Sequence, residues 1–140
     1  GPLTGLGAGN AVYDAMIGLV GGAHDARAAL DYLLNDRAPA GEVLIAGYSF
    51  GSHVLWQTLT QINCEKALLI APPSAVMRYT EQDVTSSTSV HVVWCQGDDL
   101  VDPTPFTSNQ SIVTTELTGG DHFFTGHAEN LASAVSSTIG

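Results

Sequence analysis

The feature that most constrains this fold is a Gly-x-Ser-x-Gly motif that joins an apolar run to a helical pattern. The motif occupies residues 47–51. The apolar run 43–47, which ends in glycine, is typical of a buried parallel strand. After the motif, apolar residues recur at helical spacing as far as about Gln61, which predicts a helix. A strand therefore turns into a helix within three residues, with Ser49 at the turn.

Such a sharp turn forces its central residue into a strained conformation. The flanking Gly47 and Gly51 permit this strain because they remove side-chain clashes. The Ser49 hydroxyl would then stand clear of the sheet at a helix N-terminus, where the backbone N–H of Phe50 can point at an oxygen bound beside it. This is a nucleophile elbow. The alternative interpretation is a plain glycine- and serine-rich turn, since the motif is short and degenerate.

Length and charge restrict the classes of protein to consider. A chain of 140 residues with 44% hydrophobic residues is predicted to form one globular domain over residues 1–140. Four Lys+Arg against 14 Asp+Glu give a formal charge of -10, which repels nucleic-acid backbones and anionic membrane surfaces. No apolar run approaches the roughly 20 residues of a membrane span. We expect no nucleic-acid or membrane partner and a cytoplasmic location; no signal peptide is visible, which by itself does not set the compartment.

Neither the start of the chain nor the cysteines predict a cofactor or a metal. Residues 1–10 are glycine-rich and expected to be irregular, and Gly1-Pro2 resembles the scar of a cleaved tag. Their glycine spacing does not match a phosphate-binding loop. Cys64 and Cys95 lie at or beside apolar runs, where free cysteines behave as small hydrophobic residues. We expect both cysteines to be reduced.

Further apolar runs alternate with helical or irregular segments. From Ala11 the chain is predicted to be helical, with an interruption at Gly21-Gly22. The other predicted elements are strands at 42–48, 68–71, 90–95 and 111–117 and helices at 50–61 and 128–139. Strands separated in this way predict an α/β fold with a mostly parallel sheet flanked by helices. The polar segment 74–89 could carry a short helix or cover a site.

Three kinds of reactive side chain follow predicted strands, in the order serine, aspartate, histidine. Ser49 follows the first strand of the motif, an acidic turn with Asp98, Asp99 and Asp102 follows strand 90–95, and His122 follows strand 111–117. Chemistry in parallel sheets collects at the carboxyl ends of strands. A serine needs a base to remove its proton, and a histidine base needs a carboxylate to fix its tautomer. The three positions therefore predict a catalytic triad.

The choice within each residue type follows from local context. His122 lies in a glycine-flanked loop after a strand, which suits a base. The other histidines lie in predicted helices, in a strand or at a helix start, where structural or surface roles are usual: His24, His53, His91 and His127. For the acid we choose Asp99. Asp98 and Asp102 share its turn and remain alternatives, since an aspartate near glycine and proline often caps a turn.

At this point the sequence resembles the α/β-hydrolase superfamily, specifically its small dienelactone-hydrolase-like and acyl-hydrolase members. The resembling segments are Gly-Tyr-Ser-Phe-Gly-Ser at 47–52, Ala-Pro-Pro at 71–73, the acidic turn at 96–103 and Gly-Asp-His-Phe-Phe-Thr-Gly at 120–126. The resemblance implies that Ser49 is the nucleophile, His122 the base and Asp99 the acid. The acidic turn is shorter than the usual Gly-Asp-x-Asp form, so the choice between Asp98 and Asp99 as the acid stays open.

One departure from that family concerns the sheet. The match begins near Asp25. Family members carry about half of their sheet before the segment with which this chain begins, so the chain resembles the C-terminal portion of the fold and that half is expected to be absent. The strand at 43–46 would then have an unpaired apolar edge, which favours association. We expect another chain to cover it, either in a homo-oligomer or as a complementary N-terminal fragment.

Two functions follow as hypotheses. The first is a serine hydrolase that cleaves a small ester or thioester through an acyl-enzyme on Ser49, with the Phe50 N–H in the oxyanion hole. The second is a non-catalytic assembly module that uses the open sheet edge to bind a partner chain.

Overall fold

A five-stranded parallel sheet forms the frame of the protein. The computed structural model describes residues 11–14, 43–61, 65–80 and 88–139. The strands are β1 (Ala11–Asp14), β2 (Val43–Tyr48), β3 (Lys66–Ile70), β4 (Ser89–Cys95) and β5 (Ile112–Leu117), and they lie side by side in that order. Every neighbouring pair is parallel. The predicted mostly parallel sheet is therefore confirmed.

Three helices accompany the sheet in the described part of the chain. They are α1 (Phe50–Thr58), α2 (Thr104–Thr107) and α3 (Ala128–Ile139). The sequence predicted α1 and α3, and α3 has the predicted bounds. The four-residue α2 was not predicted. It follows Pro103, whose φ of -72° suits a helix start.

Strands β3 and β4 are largely buried on both faces because they are apolar at successive positions, whereas in β5 only Ile112 is buried. One core cluster contains Ala67, Leu69, Val90, Val92 and Trp94, together with Val54, Leu55 and Trp56 of α1. The other contains Leu68, Ile70, Val93 and Cys95, together with Val135 of α3. Alternate strand residues thus enter opposite clusters, as the period of a strand requires. Each fully buried large apolar side chain contributes about 1.5–3 kcal/mol, so these clusters hold the strand ends in fixed relative positions.

The prediction at Ala11 is wrong. Residues 11–14 form a strand, not the start of a helix, and Ala11 pairs with Val43 while Asp14 pairs with Ala46. Val12 and Tyr13 have high strand propensity, and pairing with β2 supplies the backbone partners that local sequence does not reveal.

The predicted open edge on β2 is wrong for the same reason, since β1 occupies it. The expected homo-oligomer or complementary fragment loses the edge that it was to cover and stays a prediction. Residues 1–10, the predicted helix beyond position 14 and Cys64 lie outside the described residues. Cys95 is buried and free. In the described part of the chain, no helix is long and apolar enough to cross a membrane.

Candidate active site

Ser49 lies at the turn between β2 and α1 in a conformation that side-chain-bearing residues rarely adopt. Its φ is 55° and its ψ is -123°. The Ser49 N–H donates to the Ile70 carbonyl over 2.9 Å, which anchors the turn to the end of β3. A Cβ at Gly47 would lie 2.5 Å from the Gly51 carbonyl oxygen. Strand and helix therefore approach too closely for any residue but glycine, as the motif predicted.

The carbonyl of Ser49 is held from inside α1. Ser52 is fully buried, and its Oγ donates to the Ser49 carbonyl oxygen over 2.6 Å. The same Oγ lies 2.8 Å from the Tyr79 hydroxyl. Since the Ser52 proton is used on Ser49, Tyr79 is the donor of this second bond. Burial raises the pKa of the Tyr79 phenol, with the Ser52 bond opposing this in part, so the phenol keeps its proton.

His122 follows β5 in a loop that crosses the acidic turn at glycine positions. A Cβ at Gly97 would overlap the Gly120 carbonyl oxygen. Gly120 has a φ of 72°, and a Cβ there would lie 2.6 Å from the Cys95 sulfur. Only glycines allow this close crossing, which brings the turn after β4 and the loop after β5 together at the carboxyl ends of the strands.

Three side chains form a continuous hydrogen-bonded chain at the carboxyl ends of the strands. Ser49 Oγ lies 2.8 Å from His122 Nε2, and His122 Nδ1 lies 2.7 Å from Asp98 Oδ2. A carboxylate can only accept, so the proton between His122 and Asp98 belongs to Nδ1 and leaves the Nε2 lone pair facing the serine. The Asp98 side chain is fully buried, and that of His122 is 13% exposed. The other Asp98 oxygen accepts the Leu100 N–H over 3.0 Å.

Asp98, not the predicted Asp99, is therefore the partner of His122. The Asp98 N–H donates to the Cys95 carbonyl over 3.0 Å, which turns the backbone tightly after β4 and directs Asp98 inward. Asp99, one residue on, is exposed. Asp102 is also exposed, and its Oδ1 accepts the Thr104 N–H over 3.0 Å. That bond lowers the pKa of the Asp102 carboxyl, as expected of a turn cap.

Two neighbours hold the His122 loop. The Tyr48 hydroxyl donates to the His122 carbonyl over 2.9 Å, and the two rings lie 5.7 Å apart. Burial raises the pKa of the Tyr48 phenol, and the charges of Asp98 and Asp121 raise it further. Asp121 Oδ1 accepts the N–H groups of Phe123 and Thr125 over 2.9 Å and 3.0 Å. The hydrogen bonds from Thr125 are the main cause that lowers the pKa of Asp121.

Of the other histidines that the structure describes, His53 and His127 have hydrogen-bond partners of their own. His53 Nε2 lies 2.9 Å from the Arg78 carbonyl. His127 has one ring nitrogen 3.0 Å from the Thr125 carbonyl and the other 2.9 Å from the Thr118 carbonyl. His91 lies within β4, where burial first and the charge of Lys66 second lower its pKa. His24 lies outside the described residues.

Three residues at the site were not singled out from the sequence: Tyr48, Ser52 and Tyr79. Tyr48 and Ser52 flank the motif, so their proximity to Ser49 was available as a signal. Tyr79 lies 27 positions from Ser52, and only the folded chain brings the two together. A cavity of about 490 Å³ lies between Trp56, Tyr79 and α2. Its lining does not include Ser49, Asp98 or His122.

Solved structures superpose on most of this chain. One is an α/β serine hydrolase without a lid from Xanthomonas campestris, with 22% identity over 95% of this chain and a TM-score of 0.70. Another is an α/β serine hydrolase homologue from Coxiella burnetii, with 18% identity over 97% of this chain and a TM-score of 0.69. The chain has the α/β-hydrolase fold.

Within the α/β-hydrolase fold, this chain corresponds to part of those two proteins. It spans 61% of the length of the first and 65% of the length of the second. No family model matches the sequence, and no curated protein matches it. The likeness is therefore one of fold. Within this fold, β2 and α1 form the strand–turn–helix elbow that carries Ser49.

Proposed function

We propose that this chain is a serine hydrolase that cleaves a small ester or thioester through an acyl-enzyme on Ser49. The observation that carries the proposal is the chain of hydrogen bonds from Ser49 Oγ through His122 to the buried carboxylate of Asp98, at 2.8 Å and 2.7 Å. A hydroxyl is activated when the nucleophile contacts a base and the base contacts an orienting acid. Here the serine also lies on a strained elbow. The α/β-hydrolase fold supports the same reaction class.

Acylation begins when Ser49 Oγ attacks the carbonyl carbon of the substrate. His122 Nε2 takes the serine proton as the new C–O bond forms, and the carbonyl π electrons move onto oxygen. The buried Asp98 carboxylate stabilises the resulting imidazolium through Nδ1. When the tetrahedral intermediate collapses, the bond to the leaving oxygen or sulfur breaks, and the leaving group takes the proton from Nε2. The acyl group stays on Ser49.

The oxyanion that forms during attack needs hydrogen-bond donors. The Phe50 N–H is the first of α1, so it has no acceptor within that helix and suits this role. One such donor contributes about 10²–10³ in rate. Deacylation repeats the sequence with water as nucleophile and His122 as base, and it releases the acid and restores the serine proton.

A fluorophosphonate probe tests the proposal directly, since it labels only an activated serine. We expect stoichiometric labelling of the wild-type chain, none in Ser49→Ala and strongly reduced labelling in His122→Ala. Turnover of p-nitrophenyl acetate should fall about 10⁶-fold in both variants. Ser133→Ala is the matched control, because Ser133 is an exposed serine in α3 and its loss should change nothing. Folded wild-type protein that is not labelled would refute the proposal.

The assembly-module alternative has lost its structural support. It depended on an open edge at β2, and β1 pairs along that edge from Ala11 to Asp14. The hydrolase proposal does not depend on that edge.

A further inference from the structure

An exposed aromatic side chain stands directly beside the base. The Phe123 side chain has 76% exposure, the highest among the large hydrophobic residues that the structure describes as exposed. Its ring meets the His122 ring edge-on, with 5.5 Å between centroids and 81° between planes. The imidazole thus covers only a small part of the phenyl ring, and most of the phenyl surface is open to solvent.

The backbone that presents this ring is fixed. The Phe123 N–H donates to Asp121 Oδ1 over 2.9 Å. The next residue, Phe124, is buried in the core at 5% exposure, with a φ of 56°. Two consecutive phenylalanines therefore point in different directions, one into the core and one outward beside the base. Contact with apolar surface stabilises an exposed phenyl ring, and the open surface of Phe123 is available for such a contact with a ligand.

The direction of proton transfer shows which part of a substrate would meet this ring. In acylation, His122 Nε2 gives its proton to the leaving oxygen, so the leaving group departs next to the imidazole. A side chain packed against the His122 ring is therefore adjacent to the leaving group and not to the carbonyl oxygen. The acyl portion, bonded to Ser49, stays behind when the leaving group departs.

We propose that Phe123 is a specificity-determining residue that binds the alcohol portion of the ester and favours apolar, aromatic alcohols. This rests on the proposed hydrolase function. Aromatic pairs gain stability beyond the area that they bury, so a phenyl leaving portion benefits more than a short alkyl one. Asp99 is exposed and Asp121 is half-buried; both carboxyls are adjacent in sequence to a triad residue, and their negative charge disfavours anionic alcohols.

The test compares two acetate esters whose alcohols have similar acidity, benzyl acetate and ethyl acetate, with acid release followed by titration. In Phe123→Ala, kcat/KM for benzyl acetate should fall about tenfold, as expected for a lost aromatic contact, and kcat/KM for ethyl acetate should change less than about twofold. Phe123→Leu should lie between. Both esters give the same acetyl-enzyme, so its deacylation rate should be unchanged in either variant.

The control is Val113→Ala, since Val113 in β5 is also an exposed apolar side chain, at 53%, and its loss should leave the benzyl-to-ethyl ratio intact. Equal losses for both esters, or an unchanged ratio in Phe123→Ala, would overturn the assignment of Phe123 while fluorophosphonate labelling of Ser49 still supports the hydrolase. Absent labelling would overturn both. A labelled wild-type chain that shows no preference for benzyl acetate would overturn the aromatic preference alone.

Discussion

The buried carboxylate of Asp98 accepts the Nδ1–H of His122 over 2.7 Å, whereas Asp99, its neighbour in the chain, is exposed. Successive residues in a tight turn point in different directions, so one position decides which carboxylate orients the imidazole. The bond from the Asp98 N–H to the Cys95 carbonyl sets that direction.

This difference gives a paired prediction on two adjacent aspartates. Asp98→Asn should lower kcat for p-nitrophenyl acetate about 10⁴-fold, because an amide at this position can hold the wrong histidine tautomer. Asp99→Asn removes the same charge one residue away and should stay within about twofold of wild type. Steady-state kinetics on both variants decide between them. Comparable losses in the two would contradict the assignment of Asp98.

The sequence predicted those parts of the fold that local patterns determine. The apolar runs of β2, β3 and β4 stand out as continuous hydrophobic segments, and β3 and β4 are largely buried. In β5 only Ile112 is buried, and that strand was recognised from its β-branched residues. Ser49 and His122 were found because glycines mark their turns. The strand β1 was missed because its four residues owe their conformation to pairing with β2, which is a long-range contact.

The acid illustrates a second limit on sequence-based prediction. Asp98, Asp99 and Asp102 lie within five residues of each other, and composition treats them alike. Backbone hydrogen bonds of the folded turn separate them: Asp98 is held inward, while Asp102 caps Thr104. The contact between Ser52 and Tyr79 is of the same kind, since no local pattern joins them.

Tyr48 is expected to act as a positioning residue through its hydrogen bond to the His122 carbonyl. Tyr48→Phe keeps the ring contact and removes one neutral hydrogen bond, which is worth about 0.5–1.5 kcal/mol. We expect kcat to fall about three- to tenfold with KM unchanged, since the loop would hold Nε2 less well. The downfield NMR signal of the Nδ1 proton should broaden in the variant. An unchanged kcat would show that Asp98 alone holds the ring.

Gly47 and Gly126 separate steric overlap from backbone strain. In Gly47→Ala the new Cβ would lie 2.5 Å from the backbone oxygen of Gly51, which cannot move without distorting the elbow. Gly126 has a φ of 74° but nothing within 4 Å of its Cβ position. Gly126→Ala should therefore cost about 1–2 kcal/mol of unfolding free energy. Gly47→Ala should cost clearly more, and it should also abolish the labelling of Ser49 by the fluorophosphonate. Urea denaturation of both variants measures the difference, and equal losses would argue against the overlap.

Asp121 gives a prediction on stability at low pH. Hydrogen bonds from Thr125, first, and from Phe123 lower the pKa of its carboxyl in the folded chain. The unfolded carboxyl titrates near pH 3.9. The stabilisation is therefore complete above that pH and is lost as the pH falls through the lower, folded value. Asp121→Asn keeps an acceptor oxygen but not the charge, so its urea midpoint should lie below that of wild type by a constant amount from pH 7 to about pH 5.

The gap between wild type and Asp121→Asn should then close as the pH falls below about 4, because the wild-type carboxyl becomes neutral as well. Asp99→Asn is the matched control, since it removes an exposed charge without removing a turn cap, and its midpoint should follow wild type at every pH. A gap for Asp121→Asn that widens on acidification would mean that the carboxylate destabilises the turn. The hydrogen bonds from Thr125 and Phe123 would then not be what holds the His122 loop.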